Sequence, residues 1–235
     1  MSSAYNQSQE MIVTVAQALG KDMLDEVAFV GGCTTGFLLT DEFSKEGVRY
    51  TDDVDLIINV VGYAKWETFK DRLRAKGFTE KMDEEVNCRL FLGELKVDFM
   101  PDDENILGYS NHWYSDALAA AQDYKLGESL TIRLLTPVYF VATKLVAYLG
   151  RGNNDPQGSH DMEDILNIFD GREEIISEIA SADSELRDFI ANQIGLLLGN
   201  NELDYAVQST ARGDRDRQNL IYERMEAVQA LASNN

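Results

Sequence analysis

Asp53 and Asp55 stand one residue apart at the head of an apolar run, Asp53-Val54-Asp55-Leu56-Ile57-Ile58, and this pairing constrains the chain more than any other feature. Side chains two apart on a strand share a face, so both carboxylates project together while Val54 and Leu56 turn to the opposite side. A third aspartate sits inside another apolar segment, Lys96-Val97-Asp98-Phe99-Met100-Pro101. If Asp98 lies on a neighbouring strand, three carboxylates converge. Such a group repels itself and is costly to desolvate without counter-charge, so a divalent cation is the expected occupant. An all-oxygen site suits Mg²⁺ or Mn²⁺, particularly when a nucleoside triphosphate (NTP) supplies the remaining ligands.

Two cations roughly 3.5–4 Å apart activate an attacking hydroxyl and stabilise a leaving pyrophosphate in an in-line displacement. The glycine pair in Phe29-Val30-Gly31-Gly32-Cys33-Thr34-Thr35 fits that chemistry. Backbone without side chains lets phosphates approach and leaves amides to hold them, especially if a helix starts at Cys33 or Thr34. The expected activity is nucleotidyl transfer. An EF-hand is excluded, because Asp52-Asp53-Val54-Asp55 lacks the central glycine and terminal glutamate of a calcium loop. A metal-dependent glycosyltransferase would use an Asp-x-Asp but has no call for the preceding glycines or for Asp98.

Gly31-Gly32, then Arg49-Tyr50-Thr51-Asp52-Asp53-Val54-Asp55, then Val97-Asp98-Phe99-Met100-Pro101 resembles the nucleotidyltransferase superfamily that includes DNA polymerase β. Within it the chain is similar to the AbiEii/AbiGii toxin family of abortive-infection and type IV toxin–antitoxin proteins. The likeness continues in residues 107–114 (Leu107-Gly108-Tyr109-Ser110-Asn111-His112-Trp113-Tyr114), in Ala142-Thr143-Lys144-Leu145, and from Arg151-Gly152 through Ser159-His160-Asp161 to Ile165. The segment Thr40 to Gly47 reads as an insertion between the glycines and Asp53. The resemblance implies a toxin-like component with a possible cognate antitoxin, and a tRNA 3′ end as one acceptor.

Lys144 stands in an otherwise apolar helical stretch, where a lysine either snorkels to solvent or pairs with an anion. The resemblance assigns it to the triphosphate. Asp161 and Asp164, three apart, share a helix face, as an acidic first turn capped by Ser159 would. The resemblance also brings Asp161 into the active site, orienting Lys144. The expected catalytic set is Asp53, Asp55, Asp98, Lys144 and Asp161, with the first three holding metal. Gly31, Gly32, Thr34, Arg49, Thr51 and Lys144 are the candidates for nucleotide contact; structural roles for Arg49 and Thr51 stay open, and Arg151 is a weaker phosphate candidate.

The net charge of −20 argues against a protein that coats nucleic acid, so an RNA acceptor needs a local basic patch. Arg212, Arg215 and Arg217 offer one, interleaved with Asp214 and Asp216; a solvated helix start is the alternative. The charge suits a protein acceptor, with nucleotidylation of a Ser, Thr or Tyr hydroxyl, better than tRNA. A catalytically idle fold used as a binding module or antitoxin partner is the remaining alternative. Cys33 and Cys88 are too few for a disulfide framework, which points to a reducing compartment. His112 and His160 have no partners at zinc-ligand spacing. Met1 to Glu10 lacks the pattern of a secretory signal, and no apolar run approaches the ~20 residues of a membrane span. A cytoplasmic protein without membrane partners is expected.

The fold class expected is α/β (α+β): a mixed sheet flanked by helices in residues 1–135, then a helical region in 136–235. Strands are read at Val27–Val30, Asp53–Val61, Val86–Phe91, Leu95–Met100 and Leu130–Leu135. Helices are read at 11–19, 66–75, 113–121, at 137 to about 149, and at 161–169, 173–180, 186–198 and 220–231, with 151–159 as the clearest loop.

Overall fold

The computed structural model describes residues 3–82, 84, 86–107 and 111–233; Gly108, Tyr109 and Ser110 of the quoted 107–114 stretch lie outside them. The architecture is mixed α/β, a six-stranded sheet flanked by helices, consistent with a nucleotidyltransferase-like arrangement. By contacts the chain divides into two units, residues 1–34 with 49–136, and 35–48 with 137–235.

The first unit carries the sheet. Its strands are β1 (Val27–Val30), β2 (Asp53–Ile58), β3 (Arg89–Leu92), β4 (Leu95–Pro101), β5 (Gln122–Leu126) and β6 (Leu130–Leu134), in the spatial order β3-β4-β2-β1-β6-β5. β2 is antiparallel to β1 and parallel to β4, and hairpins join β3 to β4 and β5 to β6. Helices α1 (Ala4–Leu19), α2 (Tyr63–Ala75) and α3 (Tyr114–Ala120) are its longer helices, beside the short turns Lys21–Leu24 and Glu104–Leu107. The alternation along β2 and β4 sets the site: Val54, Leu56, Val97 and Phe99 are wholly buried, which turns the interleaved aspartates to the other face. Phe69 and Phe78 pack edge-on against Phe99, with centroids 6.0 and 5.4 Å away, fixing the strand that carries Asp98.

The second unit is helical: α4 (Pro137–Arg151), α5 (His160–Gly171), α6 (Ile175–Ala180), α7 (Ser184–Leu198), α8 (Leu203–Thr210) and α9 (Arg215–Gln229). Its hub is α5, whose Ile165, Leu166, Ile168 and Phe169 are fully buried, worth roughly 1.5–3 kcal/mol each in transfer free energy. Ser159 caps α5, accepting a hydrogen bond from the Met162 amide. The segment read as an insertion belongs to this unit. The backbone amides of Thr40 and Asp41 both donate to the Gly171 carbonyl, and Asp41 caps the helical turn Glu42–Lys45.

Of the three arginines read as a basic patch or as a solvated helix start, Arg217 turns inward while Arg212 and Arg215 stay exposed. Arg217 forks onto Asp170 at 2.6 and 2.8 Å, bonds Ser44, and reaches Asp41 at 3.0 Å, while the Asp214 carboxylate caps α9. The strand β5 of the first unit and the helix α8 lie outside the elements read from sequence: Asp123 and Lys125, two apart on one exposed face, give β5 the polar character of an edge strand. Among the described residues, no helix is long and apolar enough to cross a membrane.

Candidate metal centre

Strand register brings the acidic residues together. Val30 of β1 pairs with Asp55 of β2, Asp55 with Asp98 of β4, and Asp98 with Arg89 of β3. Residues in register across a sheet point to one face, so Asp55, Asp98 and Arg89 stand abreast, with Asp53 two residues along. Oxygens from Asp53, Asp55 and Asp98 all lie within 4.8 Å of one another, the one such convergence of potential metal ligands among the described residues. Asp98 is 8% exposed, and Asp53 and Asp55 are half-buried.

The glycine pair is required by these side chains. Gly31 has φ +78°, a conformation that side chains other than glycine's rarely adopt, and a Cβ there would overlap the Asp55 carboxylate. A Cβ on Gly32 would strike the Arg49 guanidinium and crowd Thr51. Gly31, Gly32, Arg49, Thr51 and Asp55 are thus immediate neighbours at the end of β1. Thr34 closes the turn, its amide and hydroxyl both donating to the Gly31 carbonyl at 3.0 and 2.8 Å. Thr51 is buried.

Sequence reasoning missed Arg89. Its guanidinium forks onto Asp98, Nε to Oδ1 at 2.7 Å and Nη2 to Oδ2 at 2.8 Å. Nη2 also lies 3.5 Å from Asp53 Oδ2, and Nη1 lies 3.9 Å from Glu84 Oε2. The signal was present in the hairpin. Leu92 pairs with Leu95 across the turn at Gly93, and counting back from that turn puts Arg89 opposite Asp98.

The electrostatics of the triad are those of crowded like charge. Burial pushes the Asp53 carboxyl above its usual range, and the charges of Asp98 and Asp52 push it further; Arg89 and Arg49 oppose the rise without cancelling it. Asp52 itself turns away, pairing with Lys96 at 2.7 Å, which lowers its carboxyl.

The second unit holds the other expected residues. Lys144 does not snorkel: its side chain is 9% exposed, and Nζ sits between Asp161 Oδ1 at 3.0 Å and Asp164 Oδ2 at 2.7 Å. Arg151 forks onto Asp161 at 2.7 and 2.8 Å, and the Thr35 hydroxyl donates to Asp164 Oδ1 at 3.1 Å. Asp161 and Asp164 are one turn apart on α5, and Lys144 and Arg151 are two turns apart on α4, so the packed helices interlock their charges. Burial alone would raise Asp161, but Arg151 and then Lys144 outweigh it and bring the carboxyl down to about 2. Burial would lower the Lys144 ammonium, and the two aspartates reverse that. Asp161 thus pairs with Lys144 and Arg151 at once. No protein-family model and no curated protein matches this chain.

Proposed function

We propose that this protein is a Mg²⁺- or Mn²⁺-dependent nucleotidyltransferase, moving a nucleoside monophosphate from an NTP to an acceptor hydroxyl with release of pyrophosphate. The observation that carries the reading is the convergence of Asp53, Asp55 and Asp98 within 4.8 Å beside Gly31, where φ of +78° and the Asp55 carboxylate leave no room for a side chain, and Gly32 packed against Arg49. The donor set fits the ion: three carboxylates and no nitrogen or sulfur, on rigid strands, select a hard cation. Asp53, Asp55 and Asp98 would hold it, and bound metal would neutralise charge on the transferring phosphoryl group and its leaving pyrophosphate.

The chain's own residues supply the rest. The Gly31-Gly32 backbone offers close approach to polyphosphate, with Arg49 and Thr51 at its edge. Asp98 accepts the proton of the attacking hydroxyl. Lys144, held by Asp161, is the residue that the family resemblance assigns to the triphosphate. The same resemblance supports a toxin-like role beside a cognate antitoxin, and the two lone cysteines suit a reducing, cytoplasmic compartment. Between acceptors, the net charge of −20 and the inward engagement of Arg217 favour a hydroxyl on a partner protein over a tRNA 3′ end.

One observation favours a second reading, a binding module without activity: Asp98 already has a cationic partner in Arg89. Incubation with each α-labelled NTP, Mg²⁺ or Mn²⁺, total RNA and protein extract separates these cases. Label in a protein band or in RNA, lost in Asp55→Ala, supports the enzyme and names the acceptor. Absence of transfer, together with calorimetry showing neither NTP nor metal binding, supports the module.

A further inference from the structure

Arg89 differs from a group that merely steadies a metal ligand from outside. A supporting residue touches one ligand on the side away from the ion. Arg89 Nη2 instead faces oxygens of two would-be ligands from different strands, Asp98 Oδ2 at 2.8 Å and Asp53 Oδ2 at 3.5 Å. It bridges β4 to β2, which is what a cation among these carboxylates would do. Its fork also takes both oxygens of Asp98, the carboxylate with the least access to solvent of the three.

We infer that Arg89 is a built-in counter-cation that competes with the divalent ion for Asp98 and Asp53, holding the triad assembled without metal and yielding when metal and nucleotide arrive. The inference rests on the proposed metal-dependent reading and adds its regulation. Glu84 gives the displaced guanidinium a second acceptor, since its Oε2 already lies 3.9 Å from Nη1. Three observations support the competition. The carboxylates need counter-charge, since their oxygens lie within 4.8 Å of one another. Arg89 is on β3, the outermost strand of the sheet, and its side chain keeps 16% exposure against 11% for the Asp98 side chain it forks. A guanidinium is always charged, so Arg89 itself keeps its counter-charge at every working pH. While it stays on Asp98 it also blocks the carboxylate from accepting a proton, and yielding to metal and nucleotide frees the base at the moment substrate is present.

The test is a Mn²⁺ titration of the full chain, read by electron paramagnetic resonance of free Mn²⁺ and by calorimetry, for wild type, Arg89→Gln, Arg89→Lys and Asp53→Asn. Removing a unit charge beside a divalent ion in a largely aqueous dielectric is worth about tenfold in affinity. Arg89→Gln is expected to bind Mn²⁺ about tenfold more tightly than wild type. Arg89→Lys, which cannot fork both oxygens, is expected to tighten binding by a smaller factor, and it carries the test if circular dichroism shows the glutamine variant unfolded. Equal or weaker binding by the Arg89 variants, with binding still lost in Asp53→Asn, overturns the competition and leaves the metal site standing. Absence of Mn²⁺ binding in both wild type and Arg89→Gln overturns both.

Discussion

Two charged clusters, one in each unit, use the same residue types to opposite effect. In the helical unit, two aspartates meet two bases: Asp161 and Asp164 against Lys144 and Arg151. Attraction wins there, and the Asp161 carboxyl falls to about 2. In the sheet unit, Asp53, Asp55 and Asp98 crowd within 4.8 Å, and repulsion and burial win, so the Asp53 carboxyl rises. In the helical cluster the charges are matched, two against two. The sheet cluster keeps surplus like charge, and burial and the neighbouring carboxylates push its Asp53 carboxyl up.

The largest expected effect breaks the matched cluster. Lys144→Met leaves Asp161 and Asp164 buried with Arg151 alone and is expected to cost about 3–5 kcal/mol in urea unfolding. A loss below 1 kcal/mol would mean that the lysine is not a structural partner. In the triad, Asp55→Ala is expected to lower nucleotidyl transfer by about 10²-fold or more, the scale seen when a group that stabilises transition-state charge is removed, while the urea midpoint holds or rises. A variant that keeps transfer but unfolds early would reverse the assignment of the two clusters.

An intermediate effect comes from the glycines. Gly31→Ala forces a Cβ into the Asp55 carboxylate at φ +78° and is expected to cost about 1–3 kcal/mol and to weaken Mn²⁺ binding together with it. Unchanged Mn²⁺ affinity would detach the glycine turn from the site.

The pH dependence sharpens the contrast further. Asp161 has a folded pKa of about 2 against an ordinary 3.8, so its contribution of about 2 kcal/mol is fully present above pH 3.8 and is lost as pH falls toward 2. Asp53 has the opposite sign: its raised carboxyl costs stability when ionised, and protonation or a bound cation relieves that cost. Asp53→Asn is therefore expected to give a small gain in metal-free stability at neutral pH and none at acid pH, whereas Asp161→Asn loses stability at neutral pH and converges with wild type near pH 2. Parallel stability profiles for the two variants would collapse the distinction.

Much of the triad was legible in sequence because alternation is a local code. Val54 and Leu56, then Val97 and Phe99, fix which way the aspartates point before any partner strand is known. Gly31-Gly32 stood out as a pair, but its steric reason was not legible, since the overlaps involve Asp55 and Arg49 far along the chain. Arg89 was recoverable by counting from the Gly93 turn, yet a lone arginine in a strand carries no signal of its own. Lys144 between two aspartates was half-visible: the i,i+3 spacing of Asp161 and Asp164 was plain, but their meeting with a lysine depends on how α4 packs on α5. The attachment of residues 35–48 to the helical unit was invisible, because it rests on Asp41, Ser44 and Thr40 meeting Arg217, Asp170 and the Gly171 carbonyl. Polar β5 falls outside the hydrophobic code altogether.

The central claim, that the unmatched cluster awaits a divalent cation, is tested most directly by a crystal soaked with Mn²⁺ and a non-hydrolysable NTP analogue, with data collected at the manganese edge. The account predicts an anomalous peak bound by Asp53, Asp55 and Asp98, with the Arg89 guanidinium withdrawn from Asp98. No peak at those oxygens, with Arg89 still forked onto Asp98, would contradict it.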